Sequence, residues 1–514
     1  MSANAVQLYG PRGGTARGHL AFTGNNALVQ AATQTSDRKR VPNLDYDVHR
    51  NISNQGRRTM LSLGRYIYSN FPMVRGALHE QAEYASSVFL PQFYGATESK
   101  DWGIAAETWM ENHDLICDVA GWPYNMRTYR RNLLVSVKRD GDMLTVLCKT
   151  ATGYPMLQCI PGHRIGSPLN ETVVFGGFYD GSRIIDGVIV NGYGAPLAYR
   201  VLTGENPFDY TQYQDISARD CFLSFIPEYV GQVRGFSMLG SCMFDFQDVA
   251  ECRRFQLISQ KVSSKIALVQ WNDLGESEFD AGGDGMTGAA DTAKMLPVET
   301  QNSDGVDIMY MRANAGHKLE ALKNENPGAN AQNFEATIVR SAFAGMDWSV
   351  DFSLDPTKIG GAPGRVVIDK ICKTIGADQD LVIEPACKRW NGFRVSCAMS
   401  PALGILPWND EWYKFSHQGP AKPTCDRKYD SDVDVQEVAN GLKTRRKALA
   451  NRGDYIDDVD IEVESDTANK WAAAERIAKK FKVTIETAYN SLWNEQPNGI
   501  TPQAAPAAAA KEEI

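Results

Sequence analysis

The chain has 514 residues, 43% hydrophobic and 22% charged, with a formal net charge of −9. Length and balance describe several packed globular units, and the acidity argues against a simple nucleic-acid clamp, which carries a basic domain. No apolar run is long enough to span a membrane and no charged-then-apolar leader opens the chain. The ten cysteines are scattered without a CxxC pair, and residues such as Cys242, Cys252 and Cys372 read as buried thiols in a reducing compartment.

Residues 1–45 are rich in Gly, Ala, Asn, Gln and Thr, with Arg12, Arg17, Arg38, Lys39 and Arg40 against Asp37. They read as a flexible arm that either meets DNA or a partner, or touches nothing. Residues 51–88 are helical in pattern, broken at Asn70-Phe71 and restarted at Pro72. A further helix is expected over 102–119. Residues 133–137 and 143–147 flank Asp140-Gly141-Asp142 and predict a hairpin. More strands are expected at 154–160, 173–178, 183–190 and 198–202, which makes this an α+β region.

The longest helical pattern runs over 236–271, with Leu239, Met243, Phe246, Val249, Phe255, Ile258, Val262, Ile266 and Val269 mostly three and four apart. A helix of that length would be about 50 Å long, which suits a strut. Residues 272–332 read as a small Gly-, Asp- and Asn-rich insertion with a strand pair at 294–298 and 306–311. A short helix is expected over 333–346, then a break over 347–365 containing Asp355-Pro356, Gly360-Gly361 and Pro363-Gly364, then a second helix after Arg365. Within the break Trp348, Val350, Phe352 and Leu354 alternate with polar residues, a pattern an ordinary exposed loop avoids. Helical patterns return over 433–450 and 468–493, the strongly acidic 454–466 lies between them, and 501–514 is an Ala/Pro-rich tail.

Catalytic signatures are missing from the sequence. The glycines at 282, 283, 285 and 288 are not followed by the Lys-Ser or Lys-Thr of a phosphate-binding loop. Gly235-Phe236-Ser237-Met238-Leu239 imitates a nucleophile elbow, but Leu239 stands where Gly is required. His113, Asp114, Cys117 and Asp118 are the nearest approach to a metal set, and the ordinary reading, no metal, is preferred. The chain reads as architecture: no enzyme, no cofactor.

Several segments, in shared order, resemble the lambda-type family of tailed-phage portal proteins. They are Arg65 with Asn70-Phe71-Pro72 and Gly76; Cys117-Asp118 with Gly121; Asp140-Gly141-Asp142; Gly187-Val188 with Pro196, Ala198 and Tyr199; and the helix-and-glycine pair over 433–453. Most specific is Gly231-Gln232-Val233-Arg234-Gly235-Phe236-Ser237. The chain departs from the family pattern at Ser224, where a His is usual, and at Tyr229-Val230, which interrupt a Pro-Gly-Arg-type segment.

The resemblance implies an α+β portal fold in a ring of twelve subunits. Its parts would be an N-terminal arm (1–45), wing (46–235), first stem helix (236–271), clip (272–332), second stem helix (333–346), tunnel loop (347–365), wing helix and return (366–419), crown (420–495) and tail (496–514). Double-stranded DNA would pass through the channel without sequence preference. The large terminase subunit and then the head–tail adaptor would dock, with the major capsid or scaffold protein around the ring at one virion vertex, assembled in the host cytoplasm and without membrane contact. Lys358, Arg365, Asp351, Asp355, Lys261 and Lys265 are the residues expected to face the channel, and Asp280, Asp284 and Asp291 the partner-docking clip. The plain alternative for the loop is that Lys358 and Arg365 pair with Asp355 and Asp369. Competing readings for the whole chain are another virion protein, of capsid or tail, or an unrecognised enzyme.

Overall fold

The computed structural model describes residues 46–87, 89–93, 100–206, 209–265, 268–272, 299–303, 306–310, 317–321, 329–354, 361–424, 426–454 and 456–492. In order, the first half holds α1 (Val48–Asn51), α2 (Asn54–Asn70), α3 (Pro72–Ser86), β1 (Leu90–Phe93), α4 (Lys100–Asp114), α5 (Met126–Asp140), β2 (Asp142–Lys149), β3 (Pro155–Pro161), β4 (Glu171–Val173), β5 (Arg183–Ile185), β6 (Val188–Val190), β7 (Pro196–Leu202), β8 (Tyr213–Ser217) and β9 (Cys221–Phe225). The second half holds α6 (Met243–Lys265), β10 (Leu268–Asn272), β11 (Glu299–Ser303), β12 (Val306–Tyr310), β13 (His317–Ala321), α7 (Ala329–Gly345), α8 (Val350–Leu354), α9 (Gly361–Asp378), α10 (Glu384–Ala398), β14 (Phe415–Gln418), α11 (Arg427–Ala439), α12 (Arg445–Arg452), α13 (Ile456–Phe481) and α14 (Ile485–Leu492).

The expected α+β character is borne out. β3-β2-β9 form a three-stranded antiparallel sheet and β4-β5-β6-β7-β8 a five-stranded one. The main core gathers Ile67 of α2, Leu78 of α3, Leu133 and Leu134 of α5, Phe246 of α6, Phe343 of α7, Ile371 of α9 and Trp390 of α10, all buried. Two far-separated helices therefore end in the same core: Phe246 meets Phe343 edge to face at 6.0 Å.

Local chemistry explains most boundaries. Ser53 caps α2 by accepting from the Gly56 N–H. Phe71 is extended and Pro72 opens α3, as the sequence predicts. The hairpin expected around 138–142 is corrected: residues 133–137 lie inside α5, capped by Asn125 and closed by Gly141 at φ 101°. Tyr129, Leu133, Leu134 and Val137 are buried at helical spacing, but a five-residue apolar run alone does not separate a helix from a strand. The single strand expected over 183–190 is two, β5 and β6, reversed at Asp186-Gly187, both at positive φ.

The strut is shorter than its apolar pattern. Residues 238–241 form a 3₁₀ turn, α6 spans 23 residues, and Leu268–Asn272 leaves helix to pair with β13. Trp271 and Val269 are strand formers, and antiparallel pairing overrides the continued helical spacing. In the insertion β12 pairs with Glu299–Ser303; residues 294–298 lie outside the described residues. α7 starts before the expected 333. The 347–365 break contains α8, and α9 begins at Gly361 rather than after Arg365. Its Pro363 and Gly364 fall in the first turn, where an amide N–H has no helical partner to lose. α9 continues through a π segment, Gln379–Ile383, into α10. Cys252 is exposed and Cys372 only half-buried, against the expectation of buried thiols. Among the described residues no helix is long and apolar enough to cross a membrane.

The α5–β2 turn and the approach to α6 touch backbone to backbone. A Cβ on Gly235 would lie 1.9 Å from the Gly141 carbonyl oxygen, and one on Gly141 would lie 2.7 Å from the Gly235 oxygen. Gly235→Ala is expected to cost about 1–3 kcal/mol through the shift it forces. Gly194→Ala, at positive φ but in open space, is expected to cost about 1 kcal/mol. Urea unfolding followed by circular dichroism checks the ranking.

Candidate functional site: a buried charge lock and the loop beyond it

Between β2, the β5–β6 turn and α2 lies a buried ionic knot centred on segments the sequence singled out. The Arg234 guanidinium donates from Nε to Asp142 Oδ2 at 2.6 Å and from Nη2 to Asp142 Oδ1 at 3.1 Å. It also donates to the carbonyls of Asp186 at 2.7 Å, Gly162 at 2.9 Å and Ile165 at 3.2 Å. Arg57 of α2 donates to the Asp186 carboxylate from the other side. Burial works against the Arg234 charge, but Asp142 and Asp186 outweigh it and raise its pKa. Gln232 fixes the approach: its Oε1 accepts from the Glu228 N–H at 2.8 Å and the Tyr229 N–H at 3.1 Å, and its Nε2 donates to the Arg234 carbonyl.

Two residues earlier in the same turn, Asp140 takes both Arg65 and Arg139. Burial pushes its carboxyl up, but the two guanidiniums more than offset this and hold it below the usual carboxylate range. Arg65 also reaches His163 Nδ1 at 3.0 Å. His163 is pushed down to about 4, by burial first and Arg65 next. The arrangement has no nucleophile or acid–base pair facing an open cleft. It is a joint.

Beyond the joint, the chain from α7 to α9 is tied back to α3 and α5. Asp347 takes a left-handed φ of 51°. Trp348 then donates to Glu80 at 3.2 Å and to the Ser353 hydroxyl at 2.7 Å, while Ser353 donates to Glu80. Phe352 packs edge on against Trp348 and Tyr84, each at 5.6 Å. The alternating apolar residues thus dock the start of the break on α3. Lys138 of α5, fully buried, donates to Asp378 at 2.5 Å and Gln81 at 2.7 Å, pinning the chain where α9 passes into its π segment. Burial raises the Asp378 pKa although Lys138 opposes it.

Of the residues expected at a channel, Asp351 sits in α8 with Arg340 at 3.9 Å. Arg365 lies near the start of α9, over the Tyr429 ring at 3.9 Å and 3.7 Å from Asp426; it does not pair with Asp369, which takes Lys373 instead. Lys261 is exposed on α6, and Lys265 is that helix's last residue. Asp355, Lys358, Asp280, Asp284 and Asp291 lie outside the described residues. Sequence reasoning named Arg65, Arg234 and the 140–142 turn as separate motifs. It missed Arg57, Lys138, Asp186 and Asp378, whose partners are distant in the chain.

The candidate metal set resolves as packing. His113 stacks between Trp109 at 5.1 Å and Trp390 at 5.7 Å and bonds the Pro155 carbonyl at 3.0 Å. Burial and then Arg394 push it down to about 4, and Arg394 takes Asp114. Among the described residues no group of His, Cys, Asp and Glu could hold a metal ion.

The site is thus a buried ionic joint within a mixed helix-and-sheet fold. The sequence matches the family described as phage portal protein, lambda family, over residues 55–352. That is more than half of the chain, and the protein belongs to this family. No curated protein sequence matches it. Among solved structures it is similar to a chain of the virion of a native gene transfer agent particle, with 13% identity, 78% of this chain and 95% of that chain covered, and a TM-score of 0.44. A chain of the neck of the native particle gives 13%, 76%, 92% and 0.40. An HK97 family phage portal protein from Corynebacterium diphtheriae gives 9%, 64%, 90% and 0.31. These are likenesses of outline only.

Removing Arg234 leaves Asp142 buried and uncompensated. Arg234→Ala is expected to lower stability by about 3–5 kcal/mol. Arg234→Lys should recover only part of it, since an ammonium cannot span both oxygens of Asp142 and three carbonyls at once. Chemical denaturation of the three proteins side by side gives the order.

Proposed function

We propose that the chain is the portal subunit of a tailed phage: twelve copies close a ring at one capsid vertex, through which double-stranded DNA is packaged and later ejected. The observation that carries this reading is the bare apolar surface of the α6–α7 pair. Phe244, Phe255 and Phe334 are 71%, 65% and 67% exposed, with Leu257 and Ile258 also exposed, although Phe246 and Val249 at the core end of α6 are buried. Such helices need neighbours to cover them, and copies of the same chain arranged around an axis supply them.

In this reading α6 and α7 are the stem, the β10–β13 and β11–β12 pairs belong to the clip, 347–365 is the tunnel loop and 420–495 the crown. The remaining segments keep the bounds the resemblance implies. The large terminase subunit docks on the clip, at a surface that includes Asp280, Asp284 and Asp291, and gives way to the head–tail adaptor. The capsid or scaffold protein surrounds the ring. No bond is made or broken. The task is to let DNA slide, and weak, sequence-independent phosphate contacts serve that better than tight ones. The acidic balance of the chain, −9 per copy, repels DNA, and scattered cations such as Lys261, Lys265 and Lys358 moderate the repulsion. The family is structural, which agrees with the missing catalytic signatures.

Negative-stain class averages of the purified full chain are expected to show rings with a central hole; a stable monomer at micromolar concentration would overturn the reading. A second test addresses the loop. Lys358→Glu is expected to leave rings intact and to shorten or destabilise packaged DNA, and wild-type genome length and titre would remove the loop's role in holding DNA.

A further inference from the structure

A half-open cleft of about 510 Å³ lies between α9, the segment following β14, and α12. Its volume is in the range of small-molecule sites, roughly 300–1,000 Å³. Its charge is one-sided. Lys422, Arg446 and Lys447 line it, with the amides of Gln379, Gln418 and Asn451, and no Asp or Glu does.

The basic run from Lys443 to Lys447 is sorted by direction. Lys443 pairs with Asp434 at 2.5 Å, and Arg445 with Asp460 at 2.9 Å. Arg452, at the end of α12, reaches Asp434 and the Ser431 hydroxyl. Arg446 and Lys447 have no carboxylate within ion-pair distance among the described residues; Arg446 reaches only the neutral Gln92 side chain, at 3.5 Å. Of the acids around it, Asp369 pairs with Lys373, Asp426 with Arg365, and Glu384 with Lys388 and the cleft-lining His417, while Asp430 accepts from the Thr424 hydroxyl. Three cations thus share one concavity with no carboxylate within ion-pair distance among the described residues, while their chain neighbours Lys443 and Arg445 are paired.

We infer that this cleft binds a phosphate group, presented either by a free nucleotide or by a nucleic-acid backbone. A guanidinium fork and two ammonium groups match the several oxygens of a phosphate; the Gln379 and Gln418 amides already donate to the Ala85 and Asp454 carbonyls, and the Asn451 amide on the same wall adds no competing negative charge. The three cations lie beyond the family match, which ends at residue 352; of the cleft lining only Gln92 falls within it. The inference stands on the geometry of one subunit and does not depend on ring formation.

The test is isothermal titration calorimetry of the full chain with magnesium-free ATP, and separately with a short DNA duplex across a range of salt. Wild-type protein is expected to bind at least one probe. Arg446→Gln with Lys447→Gln should weaken that binding tenfold or more. Arg445→Gln, whose partner Asp460 lies outside the cleft, should change it less than twofold. If the ligand is a backbone, the slope of log affinity against log salt should shrink by about 2 for the two lost cations, and ATP should give no heat. If it is a nucleotide, the ATP heat should vanish in the double variant and the duplex slope stay unchanged. Circular dichroism confirms folding of each variant, and Lys422→Gln serves as the second probe should the double variant fail to fold. Binding of neither probe by wild-type protein, or equal loss in Arg445→Gln and in the cleft variant, overturns the inference.

Discussion

The bidentate pairing of Arg234 with Asp142 is the constraint on which the rest of the subunit turns. A guanidinium removed from water is tolerated only where its donors are all met. Here the donors are met by one carboxylate and three carbonyls drawn from three different stretches of chain. Each stretch must arrive correctly for the others to be satisfied. Arg57 on the far side of Asp186 extends the same condition to α2. The direction in which α6 leaves the sheets is therefore set by charge as well as by apolar packing.

The joint also explains the placing of glycine. Bringing two backbones within reach of one buried arginine leaves no room for a Cβ at Gly141, Gly162 or Gly235. Elsewhere the fold relies on ordinary core packing. α6 and α7 enter that core at one end only, through Phe246 and Phe343, and leave their outer turns bare. A rigid joint at one end and an uncovered helix pair at the other is what a subunit needs if neighbouring copies are to complete it.

Between α7 and α9 a second set of ties operates. Trp348, Ser353 and Phe352 hold the start of the segment on α3, and Lys138 with Asp378 holds its far side at the π segment. Of the described residues between these anchors, Gly361–Asp378 form α9. Arg365 is stacked on Tyr429, which ties α9 to α11.

The sequence by itself determined the α+β class, the Pro72 restart, the strands β2, β3 and β7, the long amphipathic helix and its return, and the motif residues of the joint. Apart from the motif residues, which the family resemblance singled out, these are local properties: spacing, caps and turn formers act within a few residues. The tertiary structure alone decided that 133–137 are helix, that 268–272 are strand, and that Arg65, Arg234 and the 140–142 turn form one knot. Arg234 and Asp142 are 92 positions apart, and Lys138 and Asp378 are 240 apart. Periodicity carries no information about which charges meet across such distances. That follows from the path of the backbone, and from the high cost of leaving any one of these groups buried without its partner.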